Sequence, residues 1–128
     1  MEEKRLTSNK EWKKNFLQRL LQFAVRIIKL ASSLPKTPAG FTIASQIIRA
    51  GTSIGANTQE AQDASSKRDF IQKLTIALRE AKETRYWLKI IKTSKLLSFS
   101  VVDKELDECN EIVAILISSI KSSKAKSI

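Results

Sequence analysis

Carboxylate side chains are the residues of this chain whose spacing could support catalysis or metal binding. Glu80 and Glu83 lie one turn apart in a segment of helical periodicity, and Glu60 or Glu111 could approach them from neighbouring helices. Bundles that bind two metal ions combine such glutamates with histidine, and this chain contains no histidine. Basic residues that can pair with the glutamates are interleaved with them: Arg79, Lys82 and Arg85. We therefore expect ion pairs here, with no metal ion and no other cofactor.

The absence of histidine also excludes several classes of reaction. Acid–base catalysis by imidazole, Ser-His and Cys-His nucleophile pairs and Cys/His zinc sites all require this residue. The single cysteine, Cys109, lies on an apolar helical stripe, where a small core side chain is expected. The sequence therefore favours a protein that is not an enzyme.

Length and charge are those of one basic, soluble domain. The 128 residues suffice for a single hydrophobic core, and 23 lysines and arginines against 13 acidic residues give a net charge of +10. The first residues lack the apolar stretch of a secretory signal, and the longest apolar run, residues 112–117, is far shorter than the ~20 residues that span a bilayer. We expect a cytoplasmic protein with no membrane contact.

Apolar residues recur every three or four positions in four segments, which predicts four helices. Their expected ranges are about 10–33, 42–64, 67–95 and 101–121. Residues 34–40 contain both prolines and predict a turn, and Ser66 with Asp69 has the spacing of a helix N-cap. The termini, 1–9 and 121–128, are expected to be frayed. Short connections between amphipathic helices predict an all-α fold, an up-down-up-down four-helix bundle.

The first two predicted helices differ in character. The first has an apolar stripe from Trp12 to Leu34, which residues such as Leu21 and Ile28 widen. The second contains no lysine, and small residues cover much of it: Ser45, Ala50, Gly51, Ser53, Gly55 and Ala56. Small side chains let helices approach closely, so this helix is expected to be the most enclosed or to form a subunit interface.

A polar row adjoins the apolar stripe of the second predicted helix. Its members follow helical spacing: Gln46, Arg49, Ser53, Asn57 and Glu60. Polar groups beside a core need hydrogen-bond partners, which Glu80, Glu83 or Arg85 of the third helix, or another subunit, could supply. The row favours a role in fixing helix register, and a ligand site is the alternative.

A basic stripe runs along the third predicted helix. Lys82, Arg85, Lys89 and Lys92 recur at steps of three, four and three, and the first helix adds two candidate cations, Arg26 and Lys29. Such a stripe is often a solvated surface whose aliphatic stems cover the edge of the core. The other interpretation is a phosphate-binding surface, which the net charge of +10 favours.

The polar row also carries a family resemblance. The segments 46–61 and 65–91 resemble the bacterial four-helix bundle protein family, also called 23S rRNA-intervening sequence proteins or S23 ribosomal protein-like. The arrangement Q-x-x-R-A-x-x-S-I-x-A-N is matched at these positions: Gln46, Arg49, Ala50, Ser53, Ile54, Ala56 and Asn57, with Glu60 following. The E-T-R-Y-W-L block at 83–88 is similar to one large subgroup. The likeness covers almost the whole chain and implies a helical bundle without an assigned catalytic residue.

The family in turn resembles the accessory variability determinant protein of diversity-generating retroelements, a basic pentameric ring that binds nucleic acid and a reverse transcriptase. The resemblance implies a homopentamer, with RNA or DNA and a protein such as a reverse transcriptase as partners. Our leading hypothesis is a non-enzymatic, self-associating bundle that binds nucleic acid mainly through phosphate contacts. The alternative is a protein–protein interaction scaffold with no direct nucleic-acid contact.

Overall fold

A computed structural model describes the backbone of residues 2–126 and the side chains of residues 10–126. Four helices make up most of this range: α1 (Glu2–Ser32), α2 (Pro38–Ala61), α3 (Lys67–Thr93) and α4 (Phe99–Ala125). Each helix contacts the two beside it, in the ring order α1, α2, α3, α4. The protein is therefore the all-α four-helix bundle that the sequence predicts.

The helices are longer at the chain ends than predicted. α1 begins at Glu2 and α4 continues to Ala125, so residues 2–9 and 121–125, which we expected to be frayed, are helical. The remaining terminal residues of that expectation, Met1 and 127–128, lie outside the described residues. Chain ends are usually poorly ordered, which is why fraying was expected, but here the backbone stays helical beyond the apolar stripes of both helices.

The start of α2 corrects the prediction that residues 34–40 form only a turn. The Thr37 hydroxyl accepts a hydrogen bond from the Gly40 amide at 3.1 Å, and Pro38 occupies the first turn of the helix. Proline is well tolerated there, because the first helical amides have no partner within the helix. α2 therefore begins at Pro38, about four residues earlier than expected.

The connection between α3 and α4 also differs from the prediction. α3 ends at Thr93, and Lys95 has a φ of 58°, a left-handed conformation in which the Leu96 amide donates to the Ile91 carbonyl at 3.1 Å. This arrangement resembles a glycine C-cap, but a lysine occupies the glycine position. A lysine does not mark a helix end in a sequence, and the predicted end near residue 95 lies two residues beyond the observed one. At the other end of α3, the predicted Ser66 cap is confirmed, with the Asp69 amide donating to its hydroxyl.

The core is built from the apolar stripes of all four helices. The largest fully buried side chains include Leu20, Phe23, Ile54, Leu88 and Leu116. The stripe of α1 is wider than its neighbours can cover, since Leu21 and Ile28 are exposed and Trp12 is half-exposed. The expectation that these three belong to the core stripe is thus wrong.

Close packing of α1 on α2 depends on a glycine. A methyl group at Gly51 would lie 2.8 Å from Cγ2 of Ile27, a fully buried and β-branched side chain that has little freedom to move. One turn later, a methyl group at Gly55 would lie 3.4 Å from Leu20 Cβ, an ordinary contact distance. The backbones of the two helices therefore approach most tightly at Gly51.

We expect Gly51→Ala to lower the free energy of unfolding by about 1 kcal/mol, since overpacking costs ~1–3 kcal/mol and alanine returns only ~1 kcal/mol of helix propensity. Gly55→Ala is the matched control and, at a protein concentration low enough for the chain to be monomeric, should be neutral or stabilising by up to ~1 kcal/mol. Urea denaturation followed by circular dichroism at matched protein concentration measures both. Equal effects of the two substitutions would contradict the close approach at Gly51.

Candidate functional site

The polar row of α2 lies against α3. Arg49 Nη1 donates to Glu80 Oε2 at 3.0 Å, and its Nη2 donates to Glu83 Oε2. The Trp87 indole nitrogen donates to the same Glu83 oxygen at 3.1 Å. The hydrogen bond to Glu83 raises the pKa of Arg49 above its ordinary value. Glu80 and Glu83, which were considered for metal binding, are therefore ion-paired to Arg49 of α2. The interleaved cations expected as their partners form no ion pair with them among residues 10–126: Arg79, Lys82 and Arg85.

Other members of the row bond within α2 or to α3. Ser53 Oγ donates to the Arg49 carbonyl at 2.6 Å, and Asn57 Nδ2 donates to the Ser53 carbonyl at 2.8 Å. Glu60 forms an ion pair with Lys73 of α3 at 3.3 Å. Gln46 is half-buried. Within residues 10–126, only Arg49 and Glu60 therefore join the row to α3, while Ser53 and Asn57 bond to the backbone of α2 itself and not to the α3 side chains expected as their partners.

Two arginines of α1 join α1 to α4. Arg19 donates two hydrogen bonds to Glu108, at 2.8 and 2.6 Å, and Arg26 Nε lies 3.1 Å from both carboxylate oxygens of the buried Glu105. The Arg26 guanidinium also lies over the Phe23 ring, 5.9 Å from its centroid. The hydrogen bond with Arg19 lowers the pKa of Glu108 and raises that of Arg19. We call this arrangement the α1–α4 seam.

The six cations that the sequence suggests for phosphate binding fall into two groups. Arg26 lies in the α1–α4 seam, Arg85 Nη1 donates to Asn110 Oδ1 at 3.3 Å, and Lys92 pairs with Asp103 at 2.6 Å. The other three are exposed: Lys29, Lys82 and Lys89. The bundle itself thus supplies a polar partner to half of the predicted set.

The exposed face of α3 is made of partly different residues from the predicted basic stripe. Its exposed members are Arg79, Lys82, Tyr86 and Lys89, which we call the α3 basic face. Tyr86 is 62% exposed and separates the two lysines. Arg79 and Tyr86 are not among the residues that the sequence predicts for this surface. They could have been found from the helical positions opposite the core residues Leu74, Ala77, Ala81 and Leu88.

A second exposed surface is apolar. Leu21, Val25 and Ile28 of α1 are 58%, 43% and 41% exposed, and we call them the α1 apolar ridge. They border a groove of about 800 Å³ between α1 and α2, whose α2 side includes Gly55 and Ala56. A contiguous apolar surface beside a groove is a common feature of protein–protein interaction sites.

The remaining candidates for chemistry are enclosed or absent. Cys109 is buried, its thiol donates to the Ala81 carbonyl at 3.3 Å, and burial raises its pKa to about 12, which keeps it protonated. Within the described part of the chain, histidine, cysteine and acidic residues form no group of three that could hold a metal ion. None of the described helices is long and apolar enough to cross a bilayer.

These features define the class of protein: an all-α four-helix bundle with ion-paired helix contacts and two exposed surfaces, one basic and one apolar. A family model described as 23S rRNA-intervening sequence protein matches residues 13–118. The chain belongs to the 23S rRNA-intervening sequence protein family, which confirms the resemblance noted in the sequence.

A solved structure shares this fold. The crystal structure of a protein with unknown function from the S23 ribosomal protein family, from Bacteroides thetaiotaomicron VPI-5482, is 43% identical to this chain and has a TM-score of 0.78. The match covers 82% of this chain and 97% of that one. No curated protein matches the chain.

The α1–α4 seam predicts a specific pH dependence. The stabilisation from the lowered Glu108 pKa is present above about pH 4.3 and is lost as the pH falls through that lowered pKa. We expect Arg19→Met to lower the free energy of unfolding at pH 7 by about 1–2 kcal/mol and to reduce the further loss in acid. Lys104→Met, at an exposed cation, is the control and should change neither. Urea denaturation from pH 7 to pH 3 measures both effects, and an unchanged pH dependence in Arg19→Met would contradict the prediction.

Proposed function

We propose that this protein is a non-enzymatic, self-associating bundle that binds RNA or DNA mainly through phosphate contacts. The observation that carries the proposal is the α3 basic face, where Arg79, Lys82 and Lys89 lie on one rigid helix surface. Cations held at fixed spacing neutralise successive phosphates and release counterions, which is the main source of non-specific affinity for nucleic acid.

The division between paired and unpaired cations supports this proposal. Arg19, Arg26 and Arg49 pair with glutamates of neighbouring helices, so their charges serve the fold. The ion pairs among residues 10–126 do not include Arg79, Lys82 or Lys89. A solvated face would have the same composition, but Tyr86 among these cations adds a flat aromatic surface on which a base can stack.

The α1 apolar ridge supports the self-association in this proposal. A second copy would remove Leu21, Val25 and Ile28 from water, and the small residues Gly55 and Ala56 beside the ridge would let its backbone approach closely. A homopentamer is the assembly that the family resemblance favours. We place the protein in the cytoplasm, away from the membrane.

The ridge also supports the alternative function, a scaffold that binds another protein without contacting nucleic acid. The two functions differ in their partner. The first binds nucleic acid, and the second binds a protein, for example a reverse transcriptase. Capture of a protein partner that survives nuclease treatment, combined with no RNA binding at low salt, would favour the scaffold.

We expect Lys82→Gln and Lys89→Gln each to weaken binding of a structured RNA, because each removes one phosphate contact. Each should also make the slope of log K against log salt shallower by about 1. Filter binding at graded salt concentrations measures both quantities.

The control for these variants is Lys104→Gln, which removes the same charge from the acid-rich helix α4 and should leave affinity and slope nearly unchanged. Wild-type protein that does not bind at low salt, or binds without a salt slope, would overturn the proposal. Equal losses in all three variants would assign the effect to net charge instead of to the α3 basic face.

We expect Val25→Glu to dissociate the oligomer, because it puts a charge in the centre of the α1 apolar ridge. Val101→Glu is a matched control, since both valines are similarly exposed, at 43% and 47%, and Val101 lies on α4. Light scattering at micromolar concentration measures the mass. A wild-type protein that is only monomeric would contradict self-association, and dissociation by both variants would contradict the placement of the interface.

A further inference from the structure

A groove of about 720 Å³ lies at the end of the bundle where α1 begins and α4 ends. Trp12 and Lys13 of α1, Phe70 of α3, and serines and Lys126 of α4 line it. This volume is within the range of ~300–1,000 Å³ typical of small-ligand sites. The groove lies apart from the α3 basic face, whose residues do not line it.

The tryptophan in this groove offers an aromatic surface. Trp12 is 50% exposed, and its ring stacks on Phe16 with 5.6 Å between centroids and 20° between planes. Phe16 is buried, so the indole rests on a fixed support. An exposed tryptophan held in this way is a platform on which a planar group can stack without a large loss of side-chain entropy.

The serines in this groove have hydroxyls available for a ligand. In the other helices, hydroxyls of Ser32, Thr58 and Thr84 donate to the carbonyl four residues earlier. Among residues 10–126, the groove serines have no such hydrogen bond: Ser118, Ser119, Ser122 and Ser123. Their hydroxyls can therefore donate to phosphate or base oxygens.

The electrostatics of the groove favour an anion. Lys13 and Lys126 line it, and neither takes part in an ion pair among residues 10–126. The last carbonyls of α4 carry a partial negative charge, which Lys124 in the last turn and the C-cap residue Lys126 counteract. A ligand with both a planar ring and a negative charge fits this combination.

We propose that the groove binds one unpaired nucleotide of a single-stranded nucleic acid, with its base stacked on Trp12 and its phosphate bound by Lys13 and Lys126. The inference rests on the proposed function and adds to it a preference for single-stranded over double-stranded nucleic acid. A duplex buries the faces of its internal bases within the stack, so the α3 basic face can bind its phosphates, but Trp12 cannot stack on those internal bases. The protein therefore prefers single strands.

The test compares two RNA probes, a fluorescein-labelled 12-nucleotide oligo(U) and a 12-base-pair duplex. We expect Trp12→Leu to weaken binding of oligo(U) about tenfold and to leave duplex binding unchanged, because stacking contributes ~1–3 kcal/mol per base. Phe41→Leu is the matched control, since it removes an exposed aromatic ring at the other end of the bundle and should change neither affinity.

A second measurement uses the intrinsic fluorescence of Trp12. In a Trp87→Phe background Trp12 is the only tryptophan, and oligo(U) should quench it while the duplex should not. Trp12→Leu that binds both probes like the wild type, or that loses both equally, would overturn the stacking subsite and leave the proposed function standing. Wild-type protein that binds neither probe would overturn both.

Discussion

The contact between the first and the last helix depends on ion pairs. α1 and α4 have no connecting loop and approach each other less closely than the other neighbours in the ring. Long arginine–glutamate pairs span this wider gap, and a carboxylate as buried as Glu105 is stable there because Arg26 compensates its charge. The same pairing joins α2 to α3 through Arg49.

The pairing of arginines with glutamates limits how this protein can recognise nucleic acid. A guanidinium that forms two parallel hydrogen bonds with a carboxylate, as Arg19 does with Glu108, is held in place and is not available for the bidentate contacts that read guanine. The cations left on the surface are mainly lysines, which act as point charges on phosphates. A surface of this kind is suited to affinity for polyanions and poorly suited to reading a base sequence.

The sequence predicts the fold better than the surface. Helical periodicity identifies buried positions such as Phe23, Ile54 and Leu116, because every core residue follows the same spacing. It does not distinguish Arg26 from Lys29, since the partner of Arg26 is 79 residues away and depends on which faces of α1 and α4 meet. The predicted start of α2 is wrong for a local reason: proline usually ends a helix, but Pro38 is compatible with the first turn of one.

The positions of the two exposed surfaces connect assembly with binding. α1 and α3 are diagonal in the ring of helices, so the α1 apolar ridge and the α3 basic face point away from each other. In the proposed assembly, subunits bound through the ridge would leave the cations of α3 exposed, and each subunit would present its own set. Several weak phosphate contacts on such an assembly would act together, because after the first contact the others would form at a high effective concentration. A bundle whose single phosphate contacts are weak would in this way bind a long polyanion with useful affinity. Binding would in turn stabilise the assembly.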